Sequence, residues 1–298
     1  MIRNVMIFGC SYMQGIELPY HDSSLKSRLL EALHYPALDA TGILKQPITK
    51  DLFDKIDRVD KSIQGYINMC QAQSMGGVVA HRLGVPYINR ARAGHSNSAI
   101  LADLINCVRD IDNKTLVLVG MTWPGRETRL SEKDTFGNIV CFNNYSNVAT
   151  SSNHSKYLEL RHKFGDDNTS RYLLAMTNHC MIKNLLKDIP HAVIDPVNIY
   201  RSAQDISRPI NAWEDHTRPI ESLLKDLKEP VVQREVLNNM QRYFDDNLVP
   251  YTLNHAMVAV RDSGHYCREI GGHPNKASHD WFVDHCLWPW LTDQGLIA

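Results

Sequence analysis

Val5-Met6-Ile7-Phe8-Gly9-Cys10-Ser11-Tyr12-Met13-Gln14-Gly15 opens the chain with four apolar residues that run straight into a Gly-x-Ser turn. A short apolar run bounded by a turn signal reads as a strand. Glycine ahead of the serine lets the chain turn tightly, and the N–H groups of such a turn point toward whatever the hydroxyl meets. Ser11 is therefore expected at the carboxyl end of the first strand, flanked by Gly9 and Gly15. A plain turn or a helix cap uses the same residue types, so this stretch needs company from elsewhere in the chain.

Working outward, three further apolar runs, 85–88, 116–119 and 192–194, each precede a turn or a helical stretch. Amphipathic segments at 62–83, 96–111 and 169–187 lie between or beside them, the last introduced by the capping residues Asn168-Thr169-Ser170. Strand and helix signals alternate, which predicts an α/β fold: a central, mostly parallel sheet with helices on both faces, a three-layer α/β/α sandwich. Ligands of such sheets bind beyond the carboxyl ends of the strands. The whole of 1–298 reads as one domain. Two stretches exceed a minimal core and read as helical insertions or cap elements: 19–61, with a helix expected at 24–33, and 202–250, with helices expected at 221–227 and 232–244 around Glu229-Pro230.

Composition narrows the function classes. With 298 residues, 43% hydrophobic and 22% charged, the chain is ordinary for a soluble globular protein. No apolar run approaches the roughly 20 residues of a membrane span, and 5–8 is too short for the apolar part of a secretory signal, so a cytoplasmic protein is expected. A formal net charge of −1 argues against nucleic acid as a partner. The 7 cysteines are dispersed without a C-x-x-C pair, which suits free thiols. The 14 histidines form no H-x-x-x-H or H-E-x-x-H pattern, and no metal is expected.

Three other segments carry candidate chemistry. Asn89-Arg90-Ala91-Arg92-Ala93-Gly94-His95-Ser96-Asn97 follows the second strand, where the Gly94 N–H and the Asn97 amide are the donor types that stabilise an oxyanion. Helix capping by Ser96 or Asn97 competes with that reading. Gly120-Met121-Thr122-Trp123-Pro124-Gly125-Arg126-Glu127 follows the third strand, with Thr122 facing the same crevice and Arg126 a candidate for an acidic substrate group. Gly271-Gly272-His273-Pro274-Asn275 precedes a helical stretch expected at 281–291. Proline fixes the backbone after the histidine, and an imidazole so mounted can take a hydroxyl proton near neutral pH.

Taken together and in this order, the segments resemble the SGNH/GDSL hydrolase superfamily. Gly9-Cys10-Ser11 looks like its nucleophile block, Asn89 to Asn97 its second block, Gly120-Met121-Thr122 its third and His273-Pro274 its terminal histidine block. The combination resembles a divergent branch frequent in tailed phages. The resemblance implies the flavodoxin-like SGNH fold and a serine hydrolase that cleaves an ester-like bond, whether acyl ester, O-acetyl or thioester, with no cofactor. Ser11 would be the nucleophile, His273 its base, and Gly94, Asn97 and Thr122 the oxyanion wall. The substrate would be a small-molecule or carbohydrate ester, with Tyr12 and Trp123 as stacking surfaces.

Two positions depart from the family pattern. Thr122 stands where the third block has asparagine, which shifts the side-chain donor to Asn97. The acid expected three residues before the histidine is replaced by Ile270, leaving Glu269, Asp262 or a main-chain carbonyl to orient the imidazole. The missing acid supports a rival reading, a catalytically degenerate structural or interaction protein of the same fold, associated with a virion. A phosphate-binding α/β domain using the Gly9 to Gly15 loop is a third reading, but it lacks a P-loop lysine and a G-x-G-x-x-G.

Overall fold

The computed structural model describes residues 1–15, 72–92, 95–124, 127–130, 139–142, 168–196, 199–200, 231–265 and 273–297. The expected helices at 24–33 and 221–227, the first part of the one at 62–83, and Gly94, Arg126 and Glu269 lie outside the described residues.

Strand β1 (Asn4–Phe8) leads into the one-turn helix α1 (Ser11–Gln14). Then come α2 (Met75–Leu83), β2 (Tyr87–Asn89), α3 (Asn97–Cys107), a short 3-10 turn, and β3 (Thr115–Gly120). A two-stranded antiparallel ribbon follows, β4 (Glu127–Leu130) with β5 (Ile139–Phe142). Helix α4 (Asn168–Leu185) precedes β6 (His191–Ile194), and α5 (Val231–Asn247), α6 (Leu253–Asp262), α7 (Lys276–Phe282) and α8 (Trp288–Asp293) complete the chain.

The main sheet has the order β2-β1-β3-β6, with every pairing parallel. This is the predicted α/β class. The two central strands, β1 and β3, carry continuous apolar runs because both faces are covered: Val5, Ile7, Phe8, Leu116, Val117, Leu118 and Val119 have no exposed surface. Each such side chain contributes about 1.5–3 kcal/mol of burial. Helix α2 packs on β1 and β2, joined by α7 and, through α7, by α6. Helix α3 packs on β1 and on α4, which in turn holds α5. The residues 231–247 bury Leu237, Met240 and Phe244 in the common core, and the chain leaving α5 bonds to β6 through Val249 N–H and Val193 O at 2.9 Å.

β2 extends to one side of β1 and β3 to the other, so the chain reverses direction at the carboxyl ends of β1 and β3. A crevice opens at such a reversal. The final helical stretch, expected at 281–291, runs from Lys276 to Asp293 and contains a π-helical turn (Val283–Leu287). Pro289 cannot donate to the helical ladder, and a widened turn directly ahead of it accommodates the missing bond.

Candidate active site

The turn after β1 is built on space left by two glycines. Gly9 has φ +149°, and Cys10 is extended (φ −92°, ψ −165°) as the N-cap of α1. The Cys10 carbonyl accepts from Met13 N–H at 3.1 Å and Gln14 N–H at 3.0 Å, and Gly15 closes the helix at φ +68°. Met13, fully buried, fills the gap over Gly9 and Gly120. A Cβ on Gly9 would stand 2.5 Å from Met13 Cγ, and one on Gly120 would stand 2.1 Å from the same atom. The two glycines thus let α1 settle on the ends of β1 and β3.

Ser11 is the first residue of α1, so its main-chain N–H has no intrahelical acceptor, and no described residue takes it. Its hydroxyl lies 2.7 Å from His273 Nε2. With a neutral imidazole, Ser11 Oγ donates to that nitrogen. Ser11 is buried and His273 is half-buried. The imidazole is held from behind by chain geometry: Pro274 and Asn275 are buried, and the Asn275 side chain caps α7 by accepting from Ser278 N–H at 3.0 Å.

Tyr12 takes a different place from the stacking surface expected of it. It is only 4% exposed, which leaves no open ring face for a substrate. Its ring lies 5.0 Å from the His273 ring at 55° and meets Trp123 edge-on at 5.8 Å. Tyr12 therefore packs against the imidazole, while half-buried Trp123 forms the outer part of the same aromatic group.

Asn97 also differs from its expected role. Its Oδ1 accepts from Thr122 N–H at 2.8 Å, and its Nδ2 donates to Thr122 O at 3.0 Å and to Tyr200 Oη at 2.8 Å. Both amide hydrogens are used within the protein, so Asn97 is not a free donor facing the crevice. It instead pairs with the two main-chain groups of Thr122 as a neighbouring strand would, and it ties the loop after β3 to the start of α3. The Thr122 N–H is likewise committed. Ser96 rather than Asn97 caps α3, accepting from Ala99 N–H at 3.1 Å.

Tyr200, which nothing in the motif pattern singles out, completes this network. Its hydroxyl also donates to Thr122 O. The Tyr200 main chain is fixed by Asp195 Oδ2, which accepts from Ile199 N–H and Tyr200 N–H at 2.8 and 2.7 Å, and by Gln241 Nε2 donating to Tyr200 O at 2.7 Å. The signal available in sequence was positional: Asp195 directly follows the fourth sheet strand.

Asp262, one of the candidates for orienting the imidazole, sits at the end of α6 with its carboxylate on the Arg261 guanidinium at 2.8 Å. It is exposed and bound to a neighbouring cation, not to His273. A second histidine stands close to the first: His279 is fully buried on α7, and burial together with the nearby His273 and Lys276 pushes its pKa down to about 3. It is uncharged at any ordinary pH. Among the described residues no group of three or more His, Cys, Asp or Glu is arranged to hold a metal ion.

No protein-family model matches the chain, and no curated protein matches it. Among solved structures it is similar to a member of the lipolytic protein G-D-S-L family from Veillonella parvula, with 10% identity over 95% of this chain and 94% of that one, at a TM-score of 0.42. It is also similar to phospholipase A1 from Streptomyces albidoflavus, with 9% identity over 98% and 99% of the two chains and a TM-score of 0.36. A carbohydrate esterase matches at 9% identity over 99% of this chain and 70% of that one, with a TM-score of 0.39. At such identities and TM-scores these neighbours assign no role to any residue here. Fold and site together define a parallel α/β protein with a serine–histidine pair at the carboxyl edge of its sheet.

Proposed function

We propose that this chain is a serine hydrolase of the SGNH/GDSL type that cleaves an ester-like bond, with Ser11 as nucleophile and His273 as general base. The observation that carries the reading is the 2.7 Å contact between Ser11 Oγ and His273 Nε2, at the place where parallel α/β sheets hold their ligands. The G-D-S-L lipase, phospholipase and carbohydrate esterase named among its structural neighbours are consistent with it.

In the proposed reaction, neutral His273 takes the Ser11 proton at Nε2 as Oγ attacks the ester carbonyl carbon. The resulting oxyanion meets the Ser11 N–H, left open at the first position of α1, with the Gly94 N–H as second donor. Collapse breaks the bond to the leaving oxygen, which receives the proton from His273, and an acyl-Ser11 remains. Water, deprotonated by the same imidazole, releases the acid and restores the serine. Glu269 or a main-chain carbonyl orients the ring. The Ser11–His273 pair supplies every proton transfer in this sequence.

The test is labelling by a fluorophosphonate probe together with turnover of short-chain nitrophenyl esters, in the parent protein and in Ser11→Ala and His273→Ala. The parent is expected to label and to turn over ester, and both variants to lose the activity. Labelling that persists in Ser11→Ala removes Ser11 from the mechanism. A parent that neither labels nor hydrolyses favours the reading as a catalytically degenerate structural or interaction protein.

A further inference from the structure

We propose that Arg90 and Arg92 form an anion subsite beside Ser11, so that the ester handled here carries a negatively charged group, a carboxylate or a phosphate, within one arginine length of the reacting carbonyl. This rests on the serine-hydrolase reading above and names the substrate class for it.

The loop that carries the two arginines is anchored to the nucleophile's own segment. Arg90 N–H donates to Ile7 O at 2.8 Å and Arg92 N–H to Gly9 O at 2.9 Å, which continues the β1–β2 pairing past the end of β2. Asn89 secures the same loop twice, its Nδ2 donating to Gln14 O of α1 at 3.1 Å and its Oδ1 accepting from Ala91 N–H at 3.0 Å. Farther on, His95 N–H donates to Arg92 O at 3.3 Å, and the His95 ring pairs with Asp103 on α3 at 3.3 Å. Neighbouring strands lie about 4.8 Å apart, so Arg92, bonded to the residue two before Ser11, starts one strand spacing from the nucleophile turn.

Main chain and side chains contrast sharply along this loop. Ala91 is buried, whereas Arg90 and Arg92 on either side of it are exposed, and neither guanidinium makes a hydrogen bond or ion pair with a described residue. Among the described residues that directly follow the four sheet strands, the one acid is Asp195, fully buried and bound to two N–H groups. Among the described residues the exposed charge that follows the sheet strands is therefore positive, in a chain whose net charge is −1. Two guanidinium groups on an anchored backbone, with no counter-charge among the described residues, suit bidentate capture of a carboxylate or phosphate.

The experiment compares matched esters with and without a carboxylate. Mono-4-nitrophenyl adipate against 4-nitrophenyl hexanoate places the charge on the acyl side, and 3-carboxyphenyl acetate against phenyl acetate places it on the alcohol side. In the parent protein at low salt, kcat/KM is expected to favour the charged ester in one of the two pairs. Arg90→Ala/Arg92→Ala is expected to cut that charged-to-neutral ratio by about tenfold or more, the scale of one lost charge-assisted hydrogen bond. Equal ratios in parent and variant overturn the proposal. Calorimetric binding of both carboxylate esters to Ser11→Ala, with and without the arginine substitutions, separates this question from turnover. If no ester is hydrolysed, the hydrolase reading fails. Binding that weakens about tenfold on loss of the arginines still sustains the subsite, and binding that is absent or unchanged rules it out.

Discussion

His273 Nε2 and Ser11 Oγ, 262 positions apart in the chain, meet at 2.7 Å. Ser11 is fixed by a one-turn helix seated on two glycines, and His273 by Pro274 and the capped start of α7. Groups that act as one unit in catalysis are non-additive when removed. Ser11→Ala and His273→Ala are each expected to lower kcat by roughly 10⁴-fold or more, and the double variant to fall no further than the worse single one. Single-turnover assays on the three variants check this, and a multiplicative double loss would separate the two residues mechanistically.

The Asn97 side chain holds both main-chain groups of Thr122, and Tyr200 closes the network by bonding to both Asn97 and Thr122 O. All three residues are buried, so an unmatched partner meets no water. Asn97→Leu is expected to destabilise the fold by about 2–4 kcal/mol, because the Thr122 N–H is left buried without an acceptor. Tyr200→Phe leaves Thr122 O one donor and costs less, about 1–2 kcal/mol. Urea denaturation of the two variants gives the order directly. If Tyr200→Phe proves as costly as Asn97→Leu, the tyrosine rather than the asparagine anchors the loop.

Most strands were legible because continuous apolar runs leave little choice: 5–8, 116–119 and 192–194 all fall within sheet strands, while the run at 85–88 is displaced, its strand spanning Tyr87–Asn89. Glycines and a proline mark in the sequence the turns that mount Ser11 and His273, which the structure brings within 2.7 Å of each other. What the residues at 97 and 200 do was not legible. An asparagine beside a glycine offers the same donors whether they serve a substrate or the chain itself, and only the long-range partners decide, 25 and 103 positions away. Tyr12 was misplaced for the same reason, since an aromatic next to such a serine can face outward or lie on the imidazole. Helix α6 was missed because its start is written as Thr252-x-x-His255, with histidine in place of the usual glutamate or glutamine of a capping box.

Two buried histidines make the fold acid-sensitive. His279 and His179 both have their pKa pushed down to about 3, by burial first in each case, with nearby positive groups adding to it. An unfolded chain protonates the same imidazoles near pH 6.5. Below that pH the unfolded state binds the additional protons, so the stability these residues leave intact at neutral pH is lost as pH falls from about 6.5 toward 3. The loss at pH 5 is roughly 1–2 kcal/mol per histidine. Thermal melts from pH 8 to pH 4.5 should show a falling Tm below pH 6.5, with a shallower slope in His179→Asn and His279→Asn. Parallel slopes in parent and variants would place the acid sensitivity elsewhere.

Met13 packs into the space that Gly9 and Gly120 leave open, and that contact sets where α1 lies. Gly120→Ala brings a Cβ to within 2.4 Å of Met13 Sδ and closer still to Cγ, and Met13 is fully buried. Overpacking of this kind costs about 1–3 kcal/mol. Relief has to come either from Met13 or from α1 as a whole, and α1 carries Ser11 two residues before Met13. Gly120→Ala is therefore expected to depress kcat as well as stability, because any shift of α1 lengthens the Ser11–His273 contact. Met13→Ala is expected to lose its own packing energy but to make the second substitution nearly harmless, giving a coupling of about 1 kcal/mol or more in the double-mutant cycle. Denaturation of the four proteins, paired with fluorophosphonate labelling rates, reads both effects. Additive losses in that cycle would mean that Gly120 serves the β3 backbone and not the seat of α1.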